Sequence, residues 1–318
     1  MKINKKTRNI LLISFGIIIT IILISKYNFE KDRKIYEEII VLAGNGELNK
    51  AFEKMDKNKS LSNLIINYQY QDWKEKMHTR FKTEEEIIEN TSKNKIINDI
   101  SNIYRAYWKS ELLKEVENRT DSILYKNIGN YILANNLTKL SEDSLRKNIK
   151  NDSELSKIIK EQGFKTRFIL RNGFQDVFIW DKEVINKYKV ILPKDTINTD
   201  VIFIENYHLN GYDVYSTFNK SVVGGWALKE SATLYCNKDI YDLNSETFKI
   251  SYLKHESLHF TDLNDYPNLS SADLEYRAKL IELMYCTEKT IHTLIADFLI
   301  GASSKERTHS HPYANYIL

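Results

Sequence analysis

Five consecutive residues, His255-Glu256-Ser257-Leu258-His259, bring two imidazoles and a carboxylate together at a spacing that suits one metal ion. With the run from about Asn244 to Asp262 as one helix, His255 and His259 stand a turn apart on one face, with Glu256 at its edge. Imidazole nitrogens favour Zn²⁺, which in catalytic sites keeps one position open for water. Zinc lowers the pKa of that water, and an adjacent carboxylate takes its proton as the oxygen attacks a carbonyl. The implied chemistry is hydrolysis of a peptide bond, with Glu256 as general base and then proton donor to the leaving amine.

Such a site needs a capped helix, a third ligand from elsewhere and a support beneath. Asn244 and Ser245 are caps, and Phe248 and Tyr252 lead at helical spacing into His255. A second helix is predicted to start at the cap Ser270-Ser271-Ala272-Asp273 and to run on through Leu274-Glu275-Tyr276-Arg277-Ala278. Upstream, short β-branched or aromatic runs predict strands at Thr166–Leu170, Phe174–Trp180, Lys189–Leu192, Val201–Glu205, Tyr212–Phe218 and Ser231–Cys236. Asn172-Gly173, Pro193, Asn210-Gly211 and Gly224-Gly225 punctuate them, which predicts an antiparallel-leaning sheet.

The order of sheet, last strand, H-E-x-x-H helix and second helix resembles the catalytic half-domain of the zincins. Residues from about 230 to 300 resemble the gluzincins, the thermolysin-like zinc metallopeptidases in which a glutamate on the next helix is the third ligand. The resemblance implies Zn²⁺ held by His255, His259 and Glu275, with small Ala278 leaving room for close approach. Glu282, two turns on, shares that face and is an alternative ligand; Lys279 stands where thermolysin-like enzymes often carry an aspartate behind a ligand. Asp265 is a second alternative, at the third-ligand position of the extended metzincin motif, although Asp262 replaces the glycine that motif needs. Asp262 itself shares the face of His255 and His259 and is expected to accept from an imidazole N–H. Zinc peptidases commonly aim a His or Tyr donor at the developing oxyanion. The tail Thr308-His309-Ser310-His311-Pro312-Tyr313 supplies that donor if it folds back, with His311 the candidate catalytic group and His309 a weaker one. His78, His208 and His292 are expected to be ordinary residues. Ser231–Cys236 is expected to be an edge strand that pairs with an extended peptide or protein substrate.

The remaining sequence sets the surroundings. Lys2, Lys5, Lys6 and Arg8 precede an uncharged, Ile- and Leu-dominated run from Asn9 to Ser25. No small-residue cleavage signal follows in Ile24-Ser25-Lys26-Tyr27, so residues 1–26 read as a cytoplasmic tail and uncleaved transmembrane anchor with the catalytic part outside. Residues 27–162 read as a helical domain: between Gly46 and Gly163 there is one glycine, Gly129, and no proline. Ile96, Ile100, Ile103 and Tyr107 mark one helical face, and Leu124, Ile128 and Tyr131 another. Tyr68, Tyr70, Trp73, Tyr104, Tyr107 and Trp108 are expected in its core, and Gly44-Asn45-Gly46 as a turn between two helices. Residues 163–318 read as the zincin-like domain, giving an α+β chain. A net charge of +3, with basic and acidic residues interspersed, argues against a nucleic-acid partner. Cys236 and Cys286 are expected to be separate thiols. Two other functions fit the same residues: a catalytically inactive zinc-containing envelope protein, and an amidase or other zinc hydrolase acting on a non-peptide bond.

Overall fold

The computed structural model describes the backbone of residues 5–84, 88–228, 231–302, 307 and 310–318, and side chains from residue 24 onward apart from residue 300. The chain is α+β and divides into two compact units. The first comprises Met1–Ile158, Arg167–Val177 and Asn210–Val222; the second comprises Ile159–Thr166, Phe178–Leu209 and Val223–Leu318. The units therefore interleave along the chain instead of meeting at a single boundary near residue 162.

The first unit is built on α1 (Lys5–Gly44), α2 (Leu48–Lys57), α3 (Leu64–Lys82), α4 (Lys95–Glu111), α5 (Ser122–Ala134), α6 (Glu142–Asn148) and most of α7 (Ser153–Glu161). Asparagines start two of them: Asn63 accepts from the N–H groups of Ile65 and Ile66, and Asn94 from those of Ile96 and Ile97. Gly46, at φ +78°, makes the turn between α1 and α2. The buried face of α4 is Ile97, Ile100, Tyr104, Tyr107 and Trp108; Ile96 and Ile103 are only half-buried. On α5 the face runs Leu124, Ile128, Ile132, while the Tyr131 hydroxyl turns outward to donate to Asp99 at 2.9 Å. Of the six aromatics expected inside, Tyr68 is the exception, standing 78 % exposed.

The predicted strand Tyr212–Phe218 is instead a helix, α8 (Gly211–Thr217), within the first unit. Gly211 at φ +75° breaks the extended chain, and the buried Ser216 and Thr217 hydroxyls donate to main-chain carbonyls, Ser216 to Ala43 at 2.9 Å and Thr217 to Asp213 at 2.7 Å. Trp73 Nε1 donates to Thr217 O at 3.0 Å, and Trp108 Nε1 to Gln175 O at 3.2 Å, so segments distant in sequence satisfy the indoles of the helical core. Among the described residues no helix is long and apolar enough to cross a membrane. Most side chains of the Asn9–Ser25 run, and residues 1–4, lie outside the described residues.

The strands are β1 (Lys165–Arg171), β2 (Phe174–Ile191), β3 (Thr196–Asn210), β4 (Gly225–Leu228) and β5 (Thr233–Asn237), in sheet order β1-β2-β3-β5-β4. The sheet is mixed, because β5 runs parallel to β3 and antiparallel to β4. The stretch expected at the edge is thus interior, and β4, which the sequence reading lacked, holds the edge. Its first residue must be glycine. A Cβ on Gly225 would lie 2.2 Å from Tyr235 O and 2.7 Å from Tyr252 Cε2. After a π-helical stretch, Thr247–Lys254, the second unit ends in α9 (His255–Asp265), α10 (Ser271–Tyr285), α11 (Glu288–Ile300) and α12 (Ser310–Ile317). Its core joins Val201 and Phe203 of β3 and Leu234 of β5 to Phe248, Leu258 and Ile281 of the helical layer. Cys236 is buried, Cys286 half-buried, and both are free thiols.

Candidate metal centre

The motif helix has two parts. Ser245 Oγ accepts from the Phe248 N–H at 3.0 Å and opens the π-helical stretch, and α-helical pairing takes over at His255. A π segment inside a helix shifts the side-chain register locally, and such segments concentrate at functional sites. The buried Tyr252 hydroxyl donates to Tyr235 O at 2.7 Å, which ties this segment to β5. His255 and His259 follow on one face, their rings perpendicular with centroids 5.1 Å apart.

Helix α10 supplies the opposing carboxylates. Ser270 caps it by accepting from the Asp273 N–H at 3.3 Å, and Ala278 is fully buried. Glu275 then faces α9: its Oε2 lies 3.1 Å from His255 Nε2 and its Oε1 lies 3.6 Å from His259 Nε2. One ligand atom from each of His255, His259 and Glu275 lies within 4.8 Å of the others. Donor atoms about 2.0–2.1 Å from a tetrahedral ion stand roughly 3.3 Å apart, and the 3.1 and 3.6 Å separations lie near that, so the group could hold a metal ion. Glu275 Oε2 is buried without a well-aligned hydrogen bond among the described residues, despite its close imidazole neighbours. A carboxylate oxygen held in this way has coordination capacity to spare.

Glu282 comes to the same cluster in another capacity. Its Oε1 lies 2.7 Å from His255 Nδ1, on the far side of the ring from Glu275. A carboxylate at this position fixes the tautomer that leaves Nε2 for a metal and raises the basicity of the ligand. Asp262 does not face an imidazole; it accepts two hydrogen bonds from Arg277, from Nε at 2.7 Å and Nη2 at 2.8 Å. A guanidinium fork matches a carboxylate in two places at once, which a ring N–H does not. Asp265 is exposed at the end of α9 and is not among the converging donors. Buried Lys279 points its ammonium over the Phe298 ring at 4.5 Å.

The C-terminal segment folds back. Arg307 pairs with Asp273 at 2.8 Å, and α12, in which Ala314 is fully buried, packs against α10. His311 thereby reaches the cluster: its Nδ1 lies 2.9 Å from Glu275 Oε2, and its ring stacks on His255 with centroids 5.9 Å apart. His309 lies outside the described residues. His78 packs at a tilt against Phe52, and His208 pairs with Asp181 at 3.1 Å; neither is among the converging donors.

Charge in the cluster is strongly perturbed. Burial works against the His255 imidazolium, but Glu275 and Glu282 outweigh it and raise the group to about 10. Burial, reinforced by the His255 charge, pushes His259 down to about 4. Although burial works the other way, His255 and His311 hold the Glu275 carboxyl far below the usual carboxylate range. Desolvation lifts Glu256, with His255 and His311 opposing the shift and Glu275 and Glu282 adding to it. A proton on His255 between two carboxylates balances the charge that a cation would otherwise supply.

The roles of Glu282 and Arg277 went unread in the sequence, where Glu282 stood only as a rival ligand. Its position seven residues after Glu275 was the available signal, because i and i+7 share a helix face. Comparison with models of protein families, with curated proteins and with solved structures finds no match to this chain.

Proposed function

We propose that the chain is a zinc-dependent metallopeptidase, anchored by its apolar N-terminal run and hydrolysing peptide bonds outside the membrane. The observation that carries the reading is the convergence of His255 Nε2, His259 Nε2 and the Glu275 carboxylate, with Glu282 behind His255. These three residues hold the ion. When bound, zinc supplies an acidified water and polarises the scissile carbonyl. Glu256, half-buried with its affinity for a proton raised by desolvation, takes the proton from the attacking water and passes it to the leaving amine. His311 stands on the outer side of the cluster and donates to the oxyanion as it develops. The edge strand β4 offers main-chain groups to an extended substrate, the place first assigned to Ser231–Cys236.

The test is Glu256→Gln. The amide is nearly isosteric and removes no ligand, so fold and zinc content should be unchanged. Turnover should fall about 10²–10⁴-fold, the usual contribution of general-base catalysis. Cleavage of an unbiased peptide library is read with zinc measured on the same samples. Wild type and variant equally inert at full zinc occupancy would overturn the peptidase reading and favour a zinc-containing binding protein.

A further inference from the structure

Several large apolar side chains of the first unit face outward, and five of them gather on α1 and at the start of α3. Leu64 is 85 % exposed, and Ile24, Tyr27, Ile65 and Tyr68 also face outward. Three of them share a groove. Ile24, Ser25 and Asn28 of α1 line one groove together with Ser62, Asn63, Leu64 and Ile65 at the start of α3. The junction is pinned from inside: buried Asp32 of α1 accepts from the Asn63 N–H at 2.5 Å, and Asn63 in turn caps α3. Leu64 and Ile65 are thus held at the level of residues 24–28 along α1. Ile66, Tyr70 and Trp73 already fill the inward face of α3, so the core has no use for the outward group.

The same level on α1 is where the uncharged run Asn9–Ser25 ends. Those residues rise about 26 Å as helix, short of the roughly 30 Å of bilayer hydrocarbon, so Ile24 and Ser25 fall at its boundary. Helix α1 is continuous from Lys5 to Gly44, so it carries the groove at whatever plane the run terminates. By helical spacing Tyr27 shares the face of Ile24, and Tyr68 that of Leu64 and Ile65. Their amphipathic rings suit the headgroup level, and Lys26 is exposed beside Tyr27.

We propose that Ile24, Tyr27, Leu64, Ile65 and Tyr68 form a bilayer-contact surface, which seats the first unit on the outer leaflet of an anionic membrane. This rests on the reading of Asn9–Ser25 as an anchor and adds a second attachment beside it. Leu64 and Ile65 enter the acyl boundary, the tyrosines lie among the headgroups, and Lys26 meets lipid phosphates.

The test uses the full chain reconstituted into phosphatidylglycerol–phosphatidylcholine vesicles, with single labels at Leu64→Cys or, as control, Ile123→Cys, another exposed apolar side chain. Cys286 is replaced by Ser, and buried Cys236, its thiol pushed up to about 12 by desolvation, stays unlabelled. Headgroup-level spin-labelled lipid should quench the Leu64 label several-fold more than the Ile123 label, and Ile65→Glu with Tyr68→Glu should abolish the difference. Extraction of the chain by alkaline carbonate would overturn the anchor and this surface together. Retention with both labels equally quenched would overturn the surface alone. So would a Leu64 label shielded from aqueous iodide yet unquenched by lipid, since a protein partner or second copy would then cover it.

Discussion

At the scale of single residues, the cluster separates ligands from the groups that orient them. Glu282→Gln keeps an acceptor opposite His255 Nδ1 but removes its charge. Zinc affinity should then fall about 10–100-fold with the ion still bound at saturation, as measured by competition with a chromogenic chelator. Glu275→Ala should lose stoichiometric zinc, because a ligand is gone. If the two variants bind zinc equally well, the assignment of their roles fails. The placement of His255 and His259 was legible because one helix fixes both. Glu282 and Arg277 act between helices, and no local spacing encodes which of several carboxylates on α9 and α10 meets an imidazole and which meets a guanidinium.

At the scale of elements, the sequence marked helices where caps and periodicity agreed, as at Ser245 and Ser270. It failed where burial outvoted local preference. The aromatic and β-branched stretch around Tyr212–Phe218 suits a strand, yet hydroxyl-to-carbonyl bonds from buried Ser216 and Thr217 hold it as α8. The edge of the sheet was misplaced because β4 has four residues, the first of them a glycine, too few for an alternation pattern. That glycine is also the basis of an expected outcome. Gly225→Ala should cost about 1–3 kcal/mol, the range for overpacking a filled site, since both atoms its Cβ meets belong to held groups. A lowered melting temperature checks it; an unchanged one would mean that β4 moves aside freely.

At the scale of the whole molecule, stability should depend on pH through a group that is not part of the metal centre. Asp152 of the first unit is half-buried with φ +55° and accepts from Gln175 Nε2 at 2.6 Å. Burial raises it to about 6, against roughly 3.9 in an unfolded chain. The native state therefore binds this proton more tightly. Its contribution is complete below about pH 4 and is lost as pH rises through 6. Asp152→Asn cannot ionise and tolerates the left-handed conformation. At pH 8 the variant should be the more stable by on the order of 1 kcal/mol, after allowance for solvent screening, and the gap should close by pH 4. Denaturation midpoints at pH 4, 6 and 8 decide this; a gap independent of pH would remove Asp152 as the cause.

The interleaving of the units has a consequence for the order of synthesis. Trp73 finds its acceptor at Thr217 and Trp108 at Gln175, so the first unit is incomplete until the chain has been made as far as Val222. At about 5–20 residues per second, the helices before residue 162 wait roughly 3–12 s for the segments that satisfy their indoles. During that interval the nascent chain offers aromatic surface that the finished protein hides, and a ribosome stalled between residues 162 and 210 would leave it exposed.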